Sequence, residues 1–278
     1  MYKEGFLSGK NIIVTGGGTG LGRSMSERFI ELGANVFITS RKEDVLKKTC
    51  DEINTQFNRK AIQYRICDIS NPQSVQETVN DLFSHYHINV LVNNAAGNFI
   101  SRSENLSHRA FDIVTKIVFN GTAYFTLACG KKWLEKKQKA NVLSIVTTYA
   151  TTGSAYVLPS AMAKAGVLAM TRSLAVEWGS QGIRFNAIAP GPFPTPGAWE
   201  RLIPNAKLGQ QFETRNPLGR PGEHIELANL ASFLTSDFSG FINGEVITID
   251  GGEWLKGAGE FNFLDSLTDE EWKNLRNK

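Results

Sequence analysis

Apolar, β-rich runs alternate with amphipathic stretches along almost the whole chain. Strand-like runs fall at residues 11–15, 36–39, 61–64, 90–92, 142–146, 183–188 and 246–249. Several are apolar without interruption, as parallel strands covered on both faces must be. Between them lie helical patterns such as 20–32, 72–86 and 160–179. Repeated strand–helix–strand order predicts right-handed crossovers and a doubly wound parallel α/β sheet, a Rossmann-type single domain over 1–278.

Two stretches break the rhythm. Residues 190–222 carry Pro190, Pro192, Pro194, Pro196, Pro204, Pro217 and Pro221, too irregular for core elements, and are expected to form a substrate lid with a short helix. Residues 251–278 form a tail, in which Thr268-Asp269-Glu270-Glu271 has the form of a capping box opening a terminal helix.

The chain has 278 residues, 21% charged and 41% hydrophobic, with a net charge of +3. That balance belongs to a globular protein with a buried core, and the mild, scattered basicity is no nucleic-acid footprint. No apolar run approaches the roughly 20 residues of a membrane span. The expected setting is cytoplasmic, without a targeting segment, or the mitochondrial matrix if a presequence has been removed. Cys50, Cys67 and Cys129 show no metal or redox spacing and are read as reduced thiols. The histidines His85, His87, His108 and His224 lack partners at ligand spacing, so no metal site is expected.

Chemistry concentrates at the strand ends. Between the first strand and the first helix the chain reads Thr15-Gly16-Gly17-Gly18-Thr19-Gly20-Leu21-Gly22. Glycines there permit a tight turn and let backbone N–H groups reach a pyrophosphate at the positive end of the helix. Gly16, Gly18, Thr19, Gly20, Leu21 and Gly22 are therefore the candidate cofactor-binding turn. The second strand ends in Ser40-Arg41-Lys42, with no acid before Glu43. A hydroxyl and a guanidinium suit a 2′-phosphate better than a free ribose hydroxyl, which points to NADP(H); the competing reading is that Arg41 and Lys42 begin an exposed helix. Asp68 closes the third strand, where it can hold an adenine amino group. Asn93-Asn94-Ala95-Ala96-Gly97 closes the fourth, with Asn94 suited to close packing beside a nicotinamide ribose.

The glycine turn, the Asn-Asn-Ala-Ala-Gly strand end, Pro190-Gly191-Pro192 and Ile242-Asn243-Gly244…Asp250-Gly251-Gly252 together resemble the short-chain dehydrogenase/reductase family over about residues 8–255. The resemblance implies that Pro190, Gly191 and Phe193 border the nicotinamide, and that a Tyr-x-x-x-Lys pair reduces carbonyls. Here Lys164 is present but the tyrosine position holds Ser160, and an aliphatic hydroxyl is a far poorer acid than a phenol with a pKa of about 10. Tyr149, just past the fifth strand, can reach the same cleft. Tyr156, in an apolar stretch, is read as packing, as is Met162.

Gly97-Asn98-Phe99-Ile100-Ser101, Asn120-Gly121-Thr122, Tyr149 and Ser160 through Lys164-Ala165-Gly166 are similar to the family branch that reduces 2,4-dienoyl-CoA with NADPH. That resemblance implies reduction to 3-enoyl-CoA in unsaturated fatty acid β-oxidation, with hydride going to Cδ and a dienolate intermediate. Tyr149 and Asn98 would donate to the thioester oxygen. Lys164 would hold the nicotinamide ribose, and Ser160 and Asn120 would order Lys164 and a water. Phe99 and Ser107 would border the acyl thioester, and Arg201 would meet a CoA phosphate. Competing readings are a reductase of enoyl or 3-oxoacyl thioesters and a catalytically silent NADP-binding protein. Val167, Met170, Leu174, Trp254 and Phe261 are read as exposed apolar positions, and family analogy implies a homotetramer.

Overall fold

The structure is a computed structural model in which residues 5–195 and 215–276 are described. Seven strands form one parallel sheet: β1 (Asn11–Thr15), β2 (Asn35–Ser40), β3 (Ile62–Ile66), β4 (Val90–Asn93), β5 (Ala140–Ile145), β6 (Ile183–Pro190) and β7 (Val246–Ile249). Their spatial order is β3-β2-β1-β4-β5-β6-β7. The chain reverses its winding direction between β1 and β4, which opens a crevice at the carboxyl ends of the strands where such folds bind ligands. Every strand expected from the hydrophobic pattern is present. β6 runs two residues further than its apolar run because Ala189 and Pro190 still pair with Thr248 and Ile249 of β7.

The helices in chain order are α1 (Gly20–Glu31), α2 (Glu43–Gln56), α3 (Pro72–His85), α4 (His108–Val114), α5 (Gly121–Glu135), α6 (Leu158–Glu177), α7 (His224–Thr235), α8 (Glu253–Ala258) and α9 (Asp269–Arg276). α3 starts where Asn71 caps it, its Oδ1 accepting from the Gln73 and Ser74 amides at 2.9 and 3.3 Å, with Pro72 in the first turn. α9 starts on the expected capping box: Glu271 Oε2 accepts from the Thr268 amide at 2.7 Å, and the Glu271 amide donates back to Thr268 Oγ1 at 3.3 Å.

Alternate residues of each strand face opposite layers. Ile12, Val14, Ile38, Val92 and Leu143 pack with Met25, Phe29, Leu46 and Leu227. Ile13, Phe37, Leu91, Val142 and Phe185 pack with Val79, Leu82, Phe125 and Trp133. Parallel strands covered on both faces read as continuous apolar runs for this reason.

Three surface expectations need correction. Val167 and Leu174 are 2% and 7% exposed, because α6 is clasped between the sheet and the α4–α5 helix pair and buries more than one face. Tyr156 does not pack. It is 59% exposed with φ +67°, on a loop whose backbone holds Asn98's neighbourhood in place through Ser101 N–H to Tyr156 O at 2.9 Å. Met162 is also exposed rather than a core residue.

Candidate active site

The glycine turn is locked from three sides. The Gly16 N–H donates to Thr39 O at 2.7 Å, tying the turn to the end of β2. Thr15 Oγ1 accepts from the amides of Asn94 and Ala95, both at 3.0 Å. The Asn94 side chain donates to Thr15 O at 3.0 Å and Gly16 O at 3.2 Å. The Asn94 side-chain N–H₂ thus bridges two successive carbonyls of the turn. Gly16 needs its positive φ of +66°, and a Cβ on Gly22 would lie 2.4 Å from Gly16 O. Thr19 caps α1 in extended conformation without a side-chain hydrogen bond, and the first turn of α1 carries no acid. The N–H groups of Gly20, Leu21 and Gly22 thus stand at a positive helix end with no side chain competing for them, which fits a pyrophosphate.

At the end of β2, Ser40 Oγ accepts from the Lys42 amide at 3.2 Å and Arg41 is exposed. Glu43, the nearest acid, accepts from the Tyr64 hydroxyl at 3.2 Å on the neighbouring strand. Asp68 Oδ1 takes hydrogen bonds from the Ser70 amide and hydroxyl at 3.0 and 2.7 Å. Burial would raise the Asp68 pKa, but the two Ser70 bonds and the charge of Arg41 outweigh it and hold the carboxyl below its ordinary value. On the far side, Pro190 ends β6 and the Gly191 N–H donates to Ile249 O at 2.9 Å. Phe193 lies flat on Gly222, where an added Cβ would meet its ring at 2.4 Å.

The chemical end of the crevice is built from β4, β5 and α6. Past β5 the chain makes one 3₁₀ turn, Thr148–Ala150, capped by Thr147 Oγ1 accepting from the Tyr149 amide at 3.1 Å. That turn presents the Tyr149 hydroxyl 3.3 Å from Ser160 Oγ. Asn98 Nδ2 donates to the Tyr149 hydroxyl at 3.4 Å, while its Oδ1 accepts from the Phe99 amide at 2.9 Å. The bond to Phe99 orients the carboxamide so that its N–H₂ end faces the cleft. Asn98, Tyr149 and Ser160 thus form one polar line.

Lys164 lies one turn beyond Ser160 on α6. It is 6% exposed, and its Nζ donates to Ile145 O at the end of β5. Burial pushes its pKa down to about 8. Ser160 therefore partners Tyr149 rather than Lys164, which corrects the expectation that it orders the lysine. Asn120 ends a π-helical segment, Thr115–Asn120, that joins α4 to α5. The wide turn sets Val118 against Val114 and Ala163, and it is followed by Gly121 pressed on Ile69. Phe99 packs against that same patch. Ser107 is exposed and caps α4, its Oγ accepting from the Ala110 amide at 3.1 Å. Arg201 and most of the expected lid lie outside the described residues.

Sequence reasoning missed two residues beside the cofactor turn. Thr195 packs on Gly20, where an added Cβ would approach it to 3.2 Å, and His224 reaches both Ser24 and Pro194. Neither lies in a strand-end motif, so no pattern marked them. The three cysteines are buried, and burial pushes the Cys50 thiol up to about 12, so it stays protonated and inert. Among the described residues no helix is long and apolar enough to cross a membrane.

A family model described as enoyl-(acyl carrier protein) reductase matches residues 16–253. A Caenorhabditis elegans protein named probable 2,4-dienoyl-CoA reductase 3, (3E)-enoyl-CoA-producing, is 40% identical over 283 residues, covering 100% of this chain and 91% of its own. A Bacillus subtilis protein named probable 2,4-dienoyl-CoA reductase, (2E)-enoyl-CoA-producing, is 41% identical over 248 residues, covering 88% of this chain and 97% of its own. The crystal structure of a short chain dehydrogenase from Bacillus anthracis superposes with TM-score 0.80 at 40% identity, covering 91% of this chain and 98% of its own.

Proposed function

Since the chain belongs to the short-chain dehydrogenase/reductase family of oxidoreductases, we propose that it reduces 2,4-dienoyl-CoA to enoyl-CoA with NADPH, as a step in unsaturated fatty acid β-oxidation. One observation carries this reading: the Asn98–Tyr149–Ser160 line, with a serine where a carbonyl reductase needs a phenol. Bound NADPH supplies the hydride. The α1 N-terminus and the glycine turn hold its pyrophosphate, Ser40 and Arg41 its 2′-phosphate, Asp68 its adenine, and Lys164 its nicotinamide ribose.

Reduction of a conjugated dienoyl thioester at Cδ sends negative charge through the diene to the thioester oxygen. A dienolate is a weak base compared with an alkoxide. It needs oriented donors more than it needs a strong acid. The Tyr149 hydroxyl and the Asn98 amide supply two, and the positive Lys164 ammonium adds potential from below in a partly dry cleft. Ser160 accepts from or donates to Tyr149 and so holds the phenol in its working rotamer. Phe99 and Ser107 border the acyl thioester and Arg201 meets a CoA phosphate. Protonation at Cα, through Tyr149 or water, yields the 3-enoyl product. The relatives' names give different product isomers, so isotope incorporation from deuterated water into the product is the measurement that assigns this one.

The test is spectrophotometric NADPH consumption with 2,4-dienoyl-CoA, 2-enoyl-CoA and 3-oxoacyl-CoA of equal medium chain length. Turnover of the dienoyl thioester, with NADPH preferred over NADH, is expected. Turnover of the β-ketone alone defeats the reading, and a preference for NADH reverses the assignment of Arg41.

A further inference from the structure

His224 opens α7, and its ring lies between two parts of the cofactor site. Its Nε2 is 2.7 Å from Pro194 O and its Nδ1 is 2.9 Å from Ser24 Oγ. A carbonyl oxygen can only accept, so Nε2 carries the hydrogen and donates to Pro194. The single Ser24 hydroxyl hydrogen has two acceptors in reach, Nδ1 of the neutral ring at 2.9 Å and Gly20 O at 3.2 Å. Ser24 stands one turn into α1, above the N–H groups of the glycine turn. Pro194 belongs to the segment 190–195 that leaves β6. That segment meets α1 a second time, since a Cβ on Gly20 would come within 3.2 Å of the Thr195 methyl. The strand that leaves β6 therefore lies against the N-terminus of α1, and His224 is a polar tie between them.

We infer that His224 is a positioning residue for the dinucleotide. By donating to Pro194 it holds segment 190–195 against α1 before the cofactor arrives, so the ordering of that segment does not count against cofactor binding. The helix that carries the ring is anchored without it. Glu226 accepts from the Glu223 amide at 2.8 Å and is forked by Arg220 at 2.7 and 2.9 Å. Leu227, Ala228 and Ala231 are fully buried against the α1 side of the sheet. Removing the imidazole takes away the tie at Pro194 and leaves α7 docked, while Gly191 and Pro192 stay bonded to Ile249 O and the Gly222 N–H. The inference rests on the reading of the glycine turn as the dinucleotide site.

The test uses the full chain with NADPH, measuring KM, kcat and the direct binding constant in His224→Ala, His224→Gln and Ser24→Ala. For His224→Ala the expected result is a rise of about tenfold in KM and Kd for NADPH, the scale of one hydrogen bond and the segment it orders, with a much smaller change in kcat. The Gln amide can donate to Pro194 O, so His224→Gln is expected to recover most of the affinity. Ser24→Ala removes the contact to Nδ1 together with the hydroxyl's bond to Gly20 O, leaves the bond to Pro194, and is expected to raise KM about threefold. It also decides the question if His224→Ala does not fold. Unchanged NADPH affinity in these variants overturns the inference, as does a lower melting temperature of the cofactor-free protein without any loss of affinity. Wild-type protein that fails to bind NADPH overturns instead the reading of the turn on which the inference rests.

Discussion

At Lys164, burial and charge pull against each other, and the pH dependence of both activity and stability follows from that. Its pKa of about 8 lies below the usual lysine value near 10.4, because the buried ammonium has lost its water. A folded pKa below the unfolded one means that the unfolded chain binds more protons between those values, so stability rises with pH across that window. The buried charge thus costs stability fully below about pH 8, and the cost fades toward about pH 10.4. Lys164→Met is expected to melt higher than wild type at pH 7 without cofactor, with the gap closing as pH rises toward 10. Thermal melts across pH check this, and a gap that widens refutes it. Activity runs the other way: kcat/KM for NADPH is expected to fall as pH rises through about 8 and the ammonium is lost. The sequence singled out Lys164 and Tyr149 by motif and position and Asn98 by family resemblance, and the structure brings Asn98 within 3.4 Å of the Tyr149 hydroxyl. The partner of Ser160 was not legible there. Its i, i+4 relation to Lys164 suggested one shared role, whereas the chain turn at 148–150 delivers a tyrosine hydroxyl to it from another element.

Among the elements, the first βα unit is the least tolerant. Adding one carbon at Gly22 would place a Cβ 2.4 Å from Gly16 O and 2.5 Å from Asn94 Nδ2, backbone and a hydrogen-bonded amide that have nowhere to move. Gly22→Ala is expected to weaken NADPH binding by more than about tenfold and to lower the melting temperature, the ordinary cost of overpacking. Calorimetry with and without NADPH measures both. Strands were legible because parallel strands buried on two faces must be apolar throughout, and the capping box at Thr268 marked the start of the last helix. The faces of α6 were not, since Val167 and Leu174 sit in a helix that is apolar almost all round and the pattern gave no sign of which side met solvent. The π segment at Thr115–Asn120 left no mark either, because one extra residue in a turn changes the backbone without changing composition.

Over the whole molecule, apolar surface and charge suggest how copies and ligands meet. Leu255, Phe261 and Phe263 are 72%, 66% and 68% exposed on the tail, and Trp254 and Trp272 are partly open beside them. A soluble monomer rarely leaves so many large apolar groups open in one stretch. Light scattering is expected to give four times the 30.7 kDa protomer at micromolar concentration, and a monomer would remove the homotetramer. At the other end of the sheet, Arg41 is exposed directly after β2, and Glu43, also exposed, accepts from the Tyr64 hydroxyl. Arg41→Ala is expected to reduce the preference for NADPH over NADH by about tenfold or more, the scale of a charge-assisted phosphate contact.

The hydroxyl of Tyr149 is the donor on which the proposed chemistry depends most. The deciding measurement pairs NADPH affinity with dienoyl-CoA turnover in Tyr149→Phe. Loss of one oxyanion donor predicts a kcat lower by about 10²–10³ with NADPH affinity close to wild type. A variant that turns over dienoyl-CoA within a few-fold of wild type would show that the thioester anion is stabilised elsewhere.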